Sequence, residues 1–469
     1  MRRYIVDIDF SQPDIVRYIE TFTQNFYPCF FSHETPTGRH LGYGSKEQEY
    51  SEFLDIIIDQ KDRSVIIERD LKATLILRYY FDSSRLIVSS DRTYFAQQLD
   101  LRHMLNTNYL KMVLGNGKTA TWSIAEHIHQ LYPRKKYYFC QDNLTSEDIP
   151  YLSKAIEMED ILRQNFYHLN EYNTVGAELS WGKDSAFLPV LARKSNHFPF
   201  KFISWQLHSG EVWQQQRSTL SKVVDFLDIP YEFHRITDED YPLQYDPVGT
   251  ISHPIEEIYK NSVLGEIEVF KIHGINTVFT GFGGDEMFED RTNQATQFIY
   301  QSDEELLFIF QQQFIEEVHQ LNGSNHVYVD ALFPTSLYDS LVSRNNLFIQ
   351  HGIRPITPYL NIDAYTFFQS LNVTKEKFFT LFYNTFDTIL KDVFERNTNM
   401  ESYFTSYFKS SFFNNLLQAC LGQPSIIHWR YNIENIKKHF GDTHLCPTEL
   451  ADSYDFFLYK FVKMSLILK

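Results

Sequence analysis

Up to about residue 150 the apolar positions come in short runs separated by polar turn formers. Residues 64–68, 74–80 and 85–88 are rich in Val, Ile, Leu and Tyr, and Asp82-Ser83-Ser84 breaks the last two runs. β-branched and aromatic residues in bounded runs of this length predict strands. The spacing changes at 157–169, where Ile161, Leu162 and Phe166 fall at helical intervals and predict a connecting helix. From residue 174 the pattern alternates. Strands are predicted at 175–179, 200–207, 231–236 and 277–280, with helices near 184–194, 211–227 and 255–273 between them. Such alternation predicts βαβ units and a parallel sheet. Beyond about residue 300, Phe, Leu and Ile recur every three or four positions, which predicts helices packed on the α/β layer. The expected class is α/β plus α+β: a β-rich layered domain over 1–150, then a parallel-sheet domain with a helical extension over 151–469.

Composition sharpens this picture. Phe 41, Tyr 30 and Trp 5 in 469 residues can fill a large core, so disorder is excluded for most of the chain. Glycine is scarce at 18 residues, against a usual ~7 %, so any glycine cluster stands out. The net charge of −17 argues against nucleic acid and anionic membranes as partners. Cys29, Cys140, Cys420 and Cys446 are widely separated and form no CxxC pair, so neither a disulfide framework nor a zinc site is expected. Asp7 interrupts the start where a secretory apolar region would continue, and no run approaches ~18 apolar residues. A cytoplasmic protein is the expectation.

Two loops carry candidate chemistry. Leu179-Ser180-Trp181-Gly182-Lys183-Asp184-Ser185 ends a predicted strand and opens a helix. A phosphate placed there would meet backbone N–H groups, the positive end of the helix dipole, two hydroxyls and the Lys183 charge. Asp184 suits a magnesium ion better than a phosphate. An ordinary strand–helix turn capped by Asp184 and Ser185 is the other reading. Thr280-Gly281-Phe282-Gly283-Gly284-Asp285-Glu286 also follows a strand and holds three glycines within four residues. Close backbone approach to a ligand, with Asp285 sharing a metal with Asp184, is one reading of it. A tight turn is the other.

The first loop resembles the pyrophosphate loop S-G-G-x-D-S, and the second resembles S-G-x-G-(G/S)-D-E. Together they resemble the synthetase domain of class B asparagine synthetases and their relatives, the β-lactam and lasso-peptide macrolactam synthetases. Softer matches are Phe202-Ile203-Ser204-Trp205 on the adenosine-contacting strand, Thr357-Pro358-Tyr359-Leu360-Asn361 for Y-P-F-L-D, and Ile128-His129-Gln130-Leu131-Tyr132-Pro133 for I-x-x-L-x-P. The resemblance implies a glutaminase-like, Ntn-type N-terminal domain and an ATP-pyrophosphatase domain that adenylates a carboxylate for attack by an amine. It further implies ATP and Mg2+, with Leu179, Ser180, Gly182, Lys183, Asp184, Ser185, Ser204, Gly281, Gly283 and Gly284 around the nucleotide and Asp184 and Asp285 on the metal.

The departures choose the subclass. Arg2 stands where glutamine-hydrolysing members carry cysteine, so no N-terminal thiol or hydroxyl nucleophile is expected. That points to the relatives without glutaminase activity, and to a precursor peptide as substrate, with a leader-peptide protease or recognition protein as candidate partner. An ammonia-using or small-molecule amide synthetase is a second reading, and a non-catalytic nucleotide- or partner-binding homologue a third. Trp181 replaces a family glycine. By the resemblance, Phe282 fills the variable position at which relatives carry Glu, Tyr or His near the reacting amine, and a phenyl ring cannot act as a base. The family's R-x-K signature is matched only by Arg396-Asn397-Thr398, which leaves Arg396, with Lys183, as the candidate catalytic cations. The 17 histidines show no metal-binding spacing, Asp238-Glu239-Asp240 reads as a solvated loop, and the aromatic stripe from Tyr403 to Phe413 reads as core.

Overall fold

The computed structural model describes residues 4–21, 31–43, 53–70, 75–101, 104–114, 125–151, 154–166, 174–179, 182–194, 201–206, 220–226, 231–235, 260–288, 303–322, 344–384, 411–423 and 427–440, with isolated positions between and short runs at 457–465. Two antiparallel sheets build the N-terminal part. One has the order β2(Val16–Glu20), β1(Ile5–Asp9), β8(Arg85–Ser89), β7(Arg78–Phe81), β9(Ile128–Gln130). The other runs β11(Asn143–Asp148), β10(Lys135–Cys140), β6(Ser64–Arg69), β5(Leu54–Asp59), β4(Gly38–Tyr43), β3(Phe31–Thr35). Strand β6 shows how the sequence sets the layers: Val65, Ile67 and Arg69 are buried while Ser64, Ile66 and Glu68 are only partly covered, the period of two that faces one side inward. Tyr4, Val6 and Ile8 meet Leu41, Ile56, Val65 and Phe139 in the core between the sheets. The run at 74–80 is only partly a strand. Leu75, Ile76 and Leu77 are buried outside the ladder, because their burial comes from packing and not from pairing.

The other face of the first sheet is covered by α1(Arg92–Gln98) and α2(Thr107–Leu114). Their apolar sides do not close a core alone. Tyr94, Tyr109, Leu110 and Val113 share one cluster with residues of α6(Asp303–Ile309), α7(Gln312–Asn322), α11(Ser411–Leu421) and α12(Ile433–Phe440), and with Phe457, Phe461 and Val462. Phe413 belongs to this cluster, and the rest of the aromatic stripe from Tyr403 to Phe408 lies outside the described residues. Among the described residues, no helix is long and apolar enough to cross a membrane.

The chain from residue 174 onward holds a five-stranded sheet in the order β14(Tyr231–Arg235), β13(Lys201–Gln206), β12(Val175–Glu178), β15(Thr277–Phe279), β16(Arg354–Ile356). All four pairings are parallel. The four strands expected from the sequence are present, and β16 is an addition, three residues with Pro355 at their centre. A proline lacks the ladder donor, and it sits here on an edge strand where none is needed on the outer side. Helix α3(Asp160–Phe166) occupies the middle of the connecting segment expected at 157–169. Both faces of the sheet are covered. On one, Ala177, Phe202 and Phe279 pack on α4(Lys183–Lys194), α9(Ile362–Ser370) and α10(Lys375–Asn384). On the other, Ile203 and Val278 pack on α5(Lys260–Ile272) and α8(Asn346–Gln350). Burial on both faces is why these strands read as apolar runs without alternation.

Candidate functional site

The chain leaves β12 toward β13 on one side, and β15 takes up the other. The order therefore reverses between β12 and β15, the position at which open parallel sheets place a ligand crevice, at the carboxyl ends of the strands. Both chemistry-bearing loops follow these two strands.

In the first loop Leu179 is buried and its N–H donates to the Ile203 carbonyl at 3.0 Å. Ser180 and Trp181 lie outside the described residues. Gly182 precedes α4, and its carbonyl accepts from the Ser185 hydroxyl at 3.2 Å and the Ala186 N–H at 3.3 Å. Ser185 thus bonds back to the residue that precedes the helix. Beside the loop, Ser204 is buried on β13 with a hydroxyl that has no hydrogen-bond partner. A buried hydroxyl left unsatisfied costs about 1–3 kcal/mol, which a polar ligand would relieve.

The glycines of the second loop are explained one by one. A Cβ on Gly281 would stand 2.9 Å from Ser185 Cα and 3.0 Å from its backbone nitrogen. A Cβ on Gly284 would stand 2.5 Å from Asp184 Oδ1 and 2.6 Å from Asp184 Cγ. Gly283 has φ of 90°, a region that disfavours side chains. The scarce glycines lie where the two loops touch. Gly281→Ala should therefore push Ser185 backbone away, lowering stability by about 1–3 kcal/mol and weakening any ligand that spans both loops. Urea unfolding and ligand titration of the same variant check both effects.

The cation in this crevice is one the sequence reading missed. Lys375, in the first turn of α10, donates to Asp184 Oδ2 at 2.7 Å and also to Asp285 Oδ1. Asp184 Oδ1 is buried without a partner. A fifth of the Asp184 side chain reaches solvent, yet close packing on its other sides dominates: burial raises its pKa to about 6 against the lowering effect of Lys375. The two carboxylates raise the Lys375 pKa against its own burial. Lys183 opens α4 and forms no ion pair among the described residues. Its carbonyl accepts from the Tyr383 hydroxyl at 2.8 Å, and the Asp184 carbonyl accepts from Tyr359 at 3.1 Å. Phe378, Phe379 and Phe382 surround Phe187 of α4 with ring centroids 4.6 to 5.9 Å away. Helix α10 is thus fastened onto α4 and carries its lysine to the carboxylates. One local signal existed. A lysine in the first helical turn opposes the macrodipole and needs another reason to be there.

Below the glycine loop lies a second charged group. Arg344 pairs with Glu178, the last residue of β12, and with Glu266 of α5 at 3.0 Å. Its guanidinium stands 4.5 Å from the centre of the Phe282 ring. Phe282 is therefore stacked on a cation and offers no base, as its chemistry requires. Burial first, and the Glu178 carboxylate second, push the Glu266 pKa well up. The motif ending in Asn361 is also accounted for. Asn361 caps α9, accepting from the Asp363 and Ala364 N–H groups at 2.8 and 3.3 Å, and its amide donates to Gln164. Asn361→Asp would keep the cap and lose that donor, a cost of about 1–3 kcal/mol readable by thermal unfolding.

Arg396, Asp238-Glu239-Asp240, Cys29 and Cys446 lie outside the described residues. Neither Cys140 nor Cys420 is in a disulfide. No family model matches the chain, and no curated protein matches it. Among solved structures it is similar to the U34-tRNA thiolase NcsA from Methanococcus maripaludis with its [4Fe-4S] cluster, at 13% identity and a TM-score of 0.22, covering 50% of this chain and 77% of that one. That likeness is too remote to carry an argument about this chain.

Proposed function

We propose that the crevice between β12 and β15 binds ATP with a divalent ion and activates a carboxylate by adenylation, so that an amine can form an amide. The observation that carries this reading is the contact of the two loops. Gly281 lies against Ser185, Gly284 against Asp184, and Asp184 and Asp285 converge on one cation position at the strand ends. The residues fit the ion and the nucleotide. Asp184 Oδ1 has a lone pair to offer, Asp285 is mostly exposed, and the Ser204 hydroxyl is unsatisfied.

In this reading the N-terminus of α4 and the loop before it hold phosphate, through backbone N–H groups and the helix dipole. Asp184 and Asp285 hold the ion, which when bound would neutralise charge on the leaving pyrophosphate. Lys375 donates to phosphate oxygen and stabilises the same charge. The substrate carboxylate attacks the α-phosphorus, pyrophosphate leaves, and the amine displaces AMP from the activated carboxyl. Phe282 excludes water above Arg344 and takes no proton. The finer reading rests on the family resemblance of the sequence: the carboxylate is an Asp or Glu side chain of a precursor peptide, and the product a macrolactam.

The test is pyrophosphate release from ATP by the full chain, with candidate peptides and small carboxylates. Release that depends on a peptide, with loss of one water from that peptide by mass spectrometry, supports the cyclase. Release with small carboxylates alone favours the small-molecule synthetase. ATP binding with no release for any carboxylate favours the non-catalytic homologue.

A further inference from the structure

We propose that Lys375 is the resident cation of the ligand-free crevice, and that a divalent ion enters only with a polyphosphate that draws the lysine away. The inference rests on the reading of this crevice as a nucleotide site and adds an order of binding to it. Three observations carry it.

The ammonium of Lys375 occupies the gap itself, bonded to one oxygen of Asp184 and one of Asp285. A magnesium ion bridging those oxygens would need them at about 2.1 Å, with the ammonium displaced, because two cations cannot share one gap between two carboxylates. The protein also supplies too few ligands for a free ion. Among the described residues, no group of three His, Cys, Asp or Glu side chains could hold a metal. An ion that takes about six oxygens would have only two protein carboxylates here, and phosphate oxygens would have to make up the shell. Finally, the lysine is mounted so that it can pivot without being lost. Helix α10 is held to α4 by its phenyl rings and by the Tyr383 hydroxyl, while the ammonium sits on a flexible four-carbon stem with a long cation–π contact, 5.8 Å over the Phe379 ring. Without polyphosphate, a free ion must strip Lys375 of both partners and give it nothing in return. With polyphosphate, the lysine exchanges carboxylate oxygens for phosphate oxygens.

The test is Mn2+ binding to the full chain followed by the electron paramagnetic resonance signal of free Mn2+. Wild type is expected to bind Mn2+ at least tenfold more tightly with a non-hydrolysable ATP analogue than without it. Lys375→Met keeps the length of the stem and removes the charge. It should bind Mn2+ at least tenfold more tightly than wild type in the absence of nucleotide, and Lys375→Met combined with Asp285→Asn should lose that gain. Equal Mn2+ binding by wild type and Lys375→Met without nucleotide overturns the proposal, as does a gain that survives Asp285→Asn. If Lys375→Met does not fold, judged by circular dichroism, the wild-type comparison decides: Mn2+ binding that is as tight without nucleotide as with it overturns the proposal. Failure of wild type to bind the ATP analogue would instead strike the nucleotide reading. The nucleotide-free comparison of wild type with Lys375→Met would still decide the role of the lysine.

Discussion

Asp184→Asn should lower the affinity for Mg–ATP at least a hundredfold, about 2.7 kcal/mol, and abolish pyrophosphate release while leaving the fold intact. The carboxylate of the first loop reaches both the lysine and the second loop: it meets Lys375 through Oδ2 and crowds Gly284 through Oδ1. Losing one partner of a close, partly buried charge pair commonly costs 2–5 kcal/mol in binding. Stability should behave differently. Burial already pushes this carboxyl toward its neutral form, with a pKa of about 6, so a neutral amide of the same shape suits the unliganded pocket. Loss of binding together with unchanged or improved resistance to urea would separate a ligand role from a structural one. A variant that binds Mg–ATP as wild type does would sink the proposed site. Asp285→Asn should lose affinity in the same assay with little change in stability, since its side chain is 70% exposed.

Arg344→Met should destabilise the protein by about 3–5 kcal/mol at neutral pH, the usual cost of leaving a buried charge without its partner. Arg344 is the shared counter-ion of Glu178 and Glu266, and it also supports the Phe282 ring. Methionine would fill the space and strand the carboxylates. Glu266→Gln supplies the contrast. Because the folded protein raises the Glu266 pKa, this group contributes stability below its ordinary value of 4.5 and loses it as pH rises through the folded value. An amide imitates the protonated acid at every pH. Glu266→Gln should match wild type near pH 5 and equal or exceed it at pH 8, so urea midpoints at the two values give the sign. A Glu266→Gln protein that loses more stability at pH 8 than at pH 5 would show that the ionised carboxylate is the required form.

The parts of the site that lie close together in the chain were legible in the sequence. Residues 175–194 contain a strand, a turn and a helix whose signals are all local. The cluster Gly281-Phe282-Gly283-Gly284 stood out because glycine is otherwise scarce. The contacts of Gly281 and Gly284 with the other loop give that cluster its physical cause. Lys375 carried only the weak signal of a cation in a first helical turn, and its carboxylate partners, 90 and 191 positions away, left no trace in the local pattern. The same holds for the Arg344 pairs and for β16, too short for its pattern to distinguish it from a loop.

By itself the sequence determined the alternation of strands and helices, the β-rich part up to about residue 150 and the two loops at strand ends, because hydrophobic period and turn chemistry act over a few residues. Only the tertiary structure decided which charges meet. It brought Lys375 to Asp184 across 191 positions and Arg344 to Glu178 across 166. It also made α1 and α2 share a core with helices beyond residue 300. Charge partners and shared cores follow from the order in which strands join a sheet and from which helix covers which face. No periodicity along the chain records those choices.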